Sequence, residues 1–336
     1  MKINYNLFTV STLKVAAVVL CCQPLAFSAD EIKPATLPPE VLPLKAFIDE
    51  FQGIKNIAIK YEITIEILQT IGGDDSAKND KNSDDFAGVD PGKYTYKQDY
   101  WLDGEKFRSR TAAKGVAMSW DLAFDGTKYY QFDLDHGLMM IYGKVPDADV
   151  NQMPIPLFSP FEFGSSDDDK AEGKALRKKS DLIGGPFLQK VAKLKPRTLD
   201  QIPAKVVNML GATDEHDFFE GGSGVLEGKE FSWILSYPKG KIAVPEAIAR
   251  VSKKDNSLIT ATFIDYENVT VGGKIYHLPI KVETKCIGPH DKIIMDIVAT
   301  CKERKINEGI SADIFSIPLE KAGQVFDGES KKLIKK

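Results

Sequence analysis

From Leu42 onward, Leu44, Phe47, Ile48, Phe51 and Ile54 recur three or four positions apart, the spacing of an amphipathic helix over 42–54 that ends near Gly53. At Ile57 the period drops to two. Ile57, Ile59, Tyr61, Ile63, Ile65 and Ile67 alternate with Lys60, Glu62, Thr64 and Glu66. Successive side chains of an extended chain point to opposite faces, so this strand is oily on one side and charged on the other. It belongs to an antiparallel sheet that meets water on one face. Residues 72–92 are mostly Gly, Asp, Ser, Asn and Lys, bury nothing, and read as a loop. Short strands then follow at regular spacing: Tyr94–Leu102, Glu105–Thr111, Met118–Phe124, Lys128–Leu134 and Leu138–Tyr142. Asp103-Gly104, Asp125-Gly126 and His136-Gly137 separate them as hairpin-type turns. The pattern is a meander.

The middle of the chain breaks it. Met153 to Phe161 is an apolar segment stiffened by Pro154, Pro156 and Pro160, followed by a charged run over Ser165–Lys179. Two helices are expected next, Pro186–Leu194 and Leu199–Leu210. The meander resumes with Phe231–Tyr237, Val244–Ser252, Leu258–Tyr266, Ile275–Thr284 and Ile293–Thr300. A meander interrupted by a helical insertion over about 165–222 argues for one domain spanning 43–328, with a basic tail at 329–336. The fold class is mainly β with α (α+β): a single curved sheet with helices covering its concave face.

The ends alter the picture. Lys2 and Lys14 lead into the short apolar core Val15–Cys22, and Ala26-Phe27-Ser28 offers small residues where a signal peptidase cuts. Residues 1–28 therefore read as a signal peptide and 29–42 as an extended Pro-rich leader, which places the protein in the periplasm. The apolar run is well short of the roughly 20 residues of a membrane span, so the mature chain is expected to hold no integral span. Leu20 stands before Cys21 where a lipid-attachment signal wants a small residue, so anchoring at Cys21 or Cys22 is not expected. A net charge of −4 and pI near 5.7 give no basic footprint for nucleic acid. Past the leader only Cys286 and Cys301 remain. They are a candidate disulfide for an oxidising compartment. However, the turn Gly288–Asp291 would set Cys286 opposite roughly Ile293 and leave Cys301 far along the partner strand.

Catalytic patterns are missing: no G-x-S-x-G, no H-E-x-x-H, no phosphate-binding Gly loop and no C-x-x-C. The histidines at 136, 216, 277 and 290 stand apart. Asp214-Glu215-His216-Asp217 splays its side chains whether helical or extended, so no metal is expected there, and no cofactor. Aromatic residues crowd the first meander: Tyr94, Tyr96, Tyr100, Trp101, Phe107, Trp120, Phe124, Tyr129, Tyr130 and Phe132. A single curved sheet must cover such a face, and the available covers are the helix at 42–54, the segment at 153–163 and the insertion helices. If the cover moves, sheet and lid enclose an apolar cavity. Each methylene buried there contributes about 0.8 kcal/mol, so an acyl chain binds without any catalytic residue.

The order of elements resembles the LolA/LolB-like carriers of lipoproteins. Leu44-Lys45-Ala46-Phe47-Ile48-Asp49-Glu50-Phe51 running into the strand from Ile57 is similar to the family's first helix and strand. Phe107, then Phe124-Asp125-Gly126-Thr127-Lys128-Tyr129-Tyr130, resembles its central hairpin. Phe315-Ser316-Ile317-Pro318, with Val325 and Asp327, resembles its closing strand. The resemblance covers most of 43–145 and 225–328. It implies a half-open antiparallel β-barrel and, as partner, an acyl chain or lipid-modified protein. In the carriers an arginine four residues before the strand's Phe helps hold the lid shut; here Asp103 stands at that position. The expected cavity residues are Ile59, Tyr61, Ile63, Ile65, Phe107, Trp120, Leu122 and Phe124, and the lid residues Phe47, Ile48, Phe51, Leu157 and Phe158. The competing reading keeps the fold with a filled core, as a module that binds other envelope proteins. A third, a hydrolase with residues assembled in space, has no motif to support it.

Overall fold

The computed structural model describes residues 50, 53–68, 91–104, 106–113, 119–143, 195–226, 229–239, 244–252, 258–288 and 293–335. The expected signal peptide, leader, segment at 153–163 and helix at 186–194 lie outside them, as does the expected loop at 72–92 except for its last two residues, of which Gly92 already begins a strand. The lid residues Phe47, Ile48, Phe51, Leu157 and Phe158 also lie outside them; of the expected helix at 42–54, Glu50 is helical and Gly53 lies in a turn.

In chain order the elements are β1 (Asn56–Ile67), β2 (Gly92–Asp103), β3 (Lys106–Ala113), β4 (Trp120–Phe124), β5 (Tyr129–Asp133), β6 (Leu138–Tyr142) and β7 (Lys195–Arg197). Then come α1 (Ala204–Leu210), β8 (His216–Leu226), β9 (Lys229–Pro238), β10 (Ala247–Ser252), β11 (Leu258–Val271), β12 (Lys274–Ile287), β13 (Ile293–Ile306), β14 (Gln324–Asp327) and β15 (Leu333–Lys335). All the described strands join one open, curved sheet in the order β15-β14-β6-β5-β4-β3-β2-β1-β13-β12-β11-β10-β9-β8-β7. Neighbours are antiparallel except β14, which lies parallel to β6. The two meanders meet where β1 pairs with β13, so the first and last thirds of the chain are stitched at the sheet's centre.

The alternation in β1 sets the two faces. Ile57, Ile59, Tyr61, Ile63, Ile65 and Ile67 are buried within one cluster that runs from Tyr129 and Tyr142 to Phe219, Leu235 and Tyr237. We term this the inner face. The centre of the outer face is charged and wet, with Lys60 paired to Glu303, Lys302 to Glu62 and Lys281 to Glu283. Its two ends are covered. At one end α1 packs Val206, together with Ile202, over Phe218, Ile234 and Ala249. At the other, Ile317 and Ala322 lie on Ala123, Tyr130, Phe132 and Met139.

Several expectations change. Among the described residues α1 is the one helix longer than a short 3₁₀ turn, and it sits opposite the large apolar cluster, on the outer face. The expected helix Leu199–Leu210 is split: a 3₁₀ turn over Leu199–Gln201, then Pro203 at the N-cap of α1, because Pro lacks the N–H an unbroken helix needs. The end of the expected insertion is strand β8, whose Phe218 and Phe219 face opposite ways. Phe315–Pro318 is not a strand; Phe315 ends a 3₁₀ turn and the closing strand is β14. The candidate disulfide is absent. Cys286 pairs with Met295, with a register shift beside it, and Cys301 pairs with Tyr61. Six residues of strand therefore separate the two thiols, about 20 Å at 3.3 Å per residue, beyond any S–S bridge.

Candidate functional site

Register turns the inner face into rows that cross the strands. The first row runs Tyr142, Tyr129, Phe124, Phe107, Leu102, Ile57, Ile306, from β6 through β1 to β13. Its rings touch in sequence: Phe107 lies 6.3 Å from Phe124 and 6.2 Å from Tyr129, and Tyr129 lies 6.0 Å from Tyr142, all tilted. Such offset aromatic pairs add about 0.5–1.5 kcal/mol each beyond area burial. The second row is Leu122, Ser109, Tyr100, Ile59, Arg304, and the third Trp120, Thr111, Gln98, Tyr61, Cys301.

Ile59, Tyr61, Ile63, Ile65, Phe107 and Phe124 therefore share one buried cluster, with Leu122 packed against it. Trp120 lies in the third row at the start of β4 and is half-buried, outside the cluster.

The inner face also carries polar groups that pattern reading missed. Gln98 donates through Nε2 to Ser109 Oγ at 3.1 Å, both buried. The side chain of Arg304, 2% exposed, reaches across β12 toward β11. Its NH1 donates to Glu267 Oε1 at 2.7 Å, and its NH2 donates to the Pro279 carbonyl. The Nε of Arg304 finds no hydrogen-bond acceptor among the described residues. Burial pushes the thiol of Cys301 up, against the pull of the neighbouring Arg304. Arg304 lies inward because β13 carries a bulge at Lys302: Cys301 pairs with Tyr61 and Glu303 with Lys60, so one residue is skipped and the alternation resets.

The rim beside the first row is tied to the end of the first helix. Glu50 accepts from the His277 backbone N–H at 3.0 Å and contacts its ring Nδ1 at 2.9 Å. Asn307, in the left-handed region at φ 54, donates to the Gly53 carbonyl at 2.9 Å and accepts from the Lys55 N–H at 2.6 Å. Helix end, β12 and the exit of β13 are thus held at one corner.

Two further histidines have structural partners, and His290 lies outside the described residues. His136 meets Asp133 at 2.7 Å, and His216 is set between Thr213 and Glu246. His216 borders a polar concavity with Asp214, Asp217, Lys239 and Arg197 beside α1, on the outer side. No grouping of three metal-ligating side chains occurs among the described residues, and no helix among them is long and apolar enough to cross a membrane.

No protein-family model and no curated protein matches the chain. Similar solved structures include a DUF1329 family protein from Desulfovibrio piger, 12% identical over 82% of this chain and 97% of that one, with a TM-score of 0.33. A domain described as an outer membrane lipoprotein-sorting protein from Vibrio parahaemolyticus is 8% identical over 82% of this chain and 94% of that one, at 0.32. The MucA/MucB complex of Pseudomonas aeruginosa gives 10% identity over 83% of this chain and 61% of that one, at 0.25.

Proposed function

We propose that the protein is a periplasmic binding or carrier protein that takes an acyl chain, free or attached to a protein, on the inner face of its sheet, and that it is not an enzyme. One observation carries this reading. A single open sheet has one continuous apolar face, and the two packed layers that the described residues form, α1 and the segment at 312–322, both lie on the other face. An oily side that neither of these layers covers suits a ligand that exchanges with its cover. Phe47, Ile48, Phe51, Leu157 and Phe158 are the residues we assign to the cover.

The competing reading has its own support. The inner-face isoleucines and aromatic rings are buried almost completely, as they are in a filled core that serves a protein-binding module.

Two measurements separate the readings. The delipidated protein is titrated with a fluorescent fatty acid while Trp120 emission is followed. The carrier reading expects uptake of about one ligand per chain, and no stoichiometric uptake refutes it. Phe124→Ala then reports on packing. In a filled core it costs about 3–5 kcal/mol of stability; in a ligand cavity it costs less and weakens fatty-acid binding.

A further inference from the structure

Arg304 is out of place on the inner face. Its neighbours by register are Ile59 on β1 and, along its own strand, Ile306, both almost fully buried. A guanidinium stays protonated at every physiological pH, so a buried one must find acceptors in the protein. Its acceptor set is incomplete. Glu267 takes one nitrogen, the Pro279 carbonyl a second, and the Cys301 thiol also lies in hydrogen-bonding reach of the guanidinium, while the buried Nε has no acceptor among the described residues. A buried donor left unpaired costs about 1–3 kcal/mol, and a buried ion pair is often no more stable than apolar residues of the same volume. Stability alone therefore does not account for a cation here.

The partners are also unequal. The side chain of Arg304 is 2% exposed and that of Glu267 is 39% exposed. The carboxylate sits on the solvent side of the pair and is the member that water can take over if it is displaced. An incoming anion would satisfy Nε and a terminal nitrogen together, the bidentate geometry that guanidinium favours for carboxylate and phosphate.

We propose that Arg304 receives the anionic headgroup, carboxylate or phosphate, of the amphiphile whose chain lies on the inner face, with Glu267 as the internal carboxylate it displaces. This rests on the acyl-chain reading above. The hydrocarbon packs along Ile59, Tyr100 and the ring row, and the head turns to Arg304. The inner face then selects anionic over neutral amphiphiles of equal length.

The test measures the affinity of the delipidated protein for hexadecanoate, hexadecyl phosphate and hexadecanol at pH 8 by displacement of a fluorescent fatty acid or by calorimetry. At least one of the two anions should bind about tenfold or more tightly than the alcohol, and the tighter anion identifies the head. Arg304→Met should erase that preference while leaving hexadecanol affinity within about twofold; Glu267 is exposed enough to be hydrated in that variant. Glu267→Gln, which keeps the buried cation and weakens its internal competitor, should tighten the preferred anion several-fold and leave the alcohol unchanged. It also keeps the test decisive if Arg304→Met does not fold. Equal binding of anions and alcohol by the wild type, or a preference that survives Arg304→Met, or no gain in Glu267→Gln, overturns the proposal. Failure of all three ligands to bind overturns the acyl-chain reading instead.

Discussion

Arg108 and Asp121 form a buried ion pair whose loss gives a test of the fold. The pair joins β3 to β4 on the outer face. Nε of Arg108 donates to Oδ1 of Asp121 at 2.8 Å and NH2 to Oδ2 at 2.6 Å, while NH1 donates to the Ile314 carbonyl at 2.8 Å. The two side chains are 12% and 3% exposed. One guanidinium thus fastens two strands and the C-terminal segment that covers this end of the sheet. Asp121→Ala leaves Arg108 buried without its counter-charge, a change that costs about 3–5 kcal/mol. For a domain of this size each kcal/mol moves Tm by roughly 2–4 °C, so the expected drop is about 6–20 °C. Lys60–Glu303 is the control, with side chains 50% and 64% exposed. Water already screens it, and Glu303→Ala should cost no more than about 1 kcal/mol. Urea unfolding followed by circular dichroism gives both numbers. The double variant R108M/D121L removes both charges together and should recover most of the loss. A cost for Asp121→Ala no larger than that of Glu303→Ala, or a double variant no better than the single, would refute this account of the outer face.

Asp296 holds its proton more readily than the usual carboxylate value of 3.8, chiefly through burial, with Lys285 opposing and Glu283 and Glu66 adding to the rise. A carboxyl raised on folding stabilises the native state below its ordinary value, and that contribution is lost as pH rises through the raised one. Asp296→Asn should therefore raise Tm at pH 7, with the gain vanishing as pH falls to about 3.8; a lower Tm at pH 7 contradicts this. Cys286 and Cys301, held apart by register, should each take an alkylating reagent in the unfolded, unreduced protein, and dithiothreitol should leave Tm unchanged. A mass showing both thiols protected as a bridge contradicts the strand register.

The period-two pattern from Ile57 to Ile67 determined which face of β1 is buried. Turn residues such as Asp103-Gly104 and Asp125-Gly126 determined the first meander nearly strand for strand. Gly104 and Gly126 adopt positive φ, 61 and 99, a conformation Gly enters without steric cost. Local chemistry suffices for such features, because alternation and turn geometry are set by neighbours in sequence. β8 escaped notice because its C-terminal half is Gly-Gly-Ser-Gly and its two phenylalanines point to opposite faces, which leaves no alternation to read. β14 was legible in part: Val325 and Asp327 belonged to the closing strand the resemblance implied, but its parallel pairing with β6, far upstream, left no mark in the local pattern.

Which layers cover which face was decided only by the fold. Helical spacing marks α1 as amphipathic but does not say whether its apolar side meets the inner or the outer face. The polar members of the site were hidden more thoroughly. In uninterrupted alternation Cys301 and Arg304 would point opposite ways, and Arg304 would stand in water. The bulge at Lys302 inserts one residue, turns Arg304 inward beside Ile59, and brings it within reach of Glu267 two strands away. A single-residue slip reverses every side chain beyond it. A bulge is fixed by the partner strand, and no pattern within Cys301–Ile306 announces it.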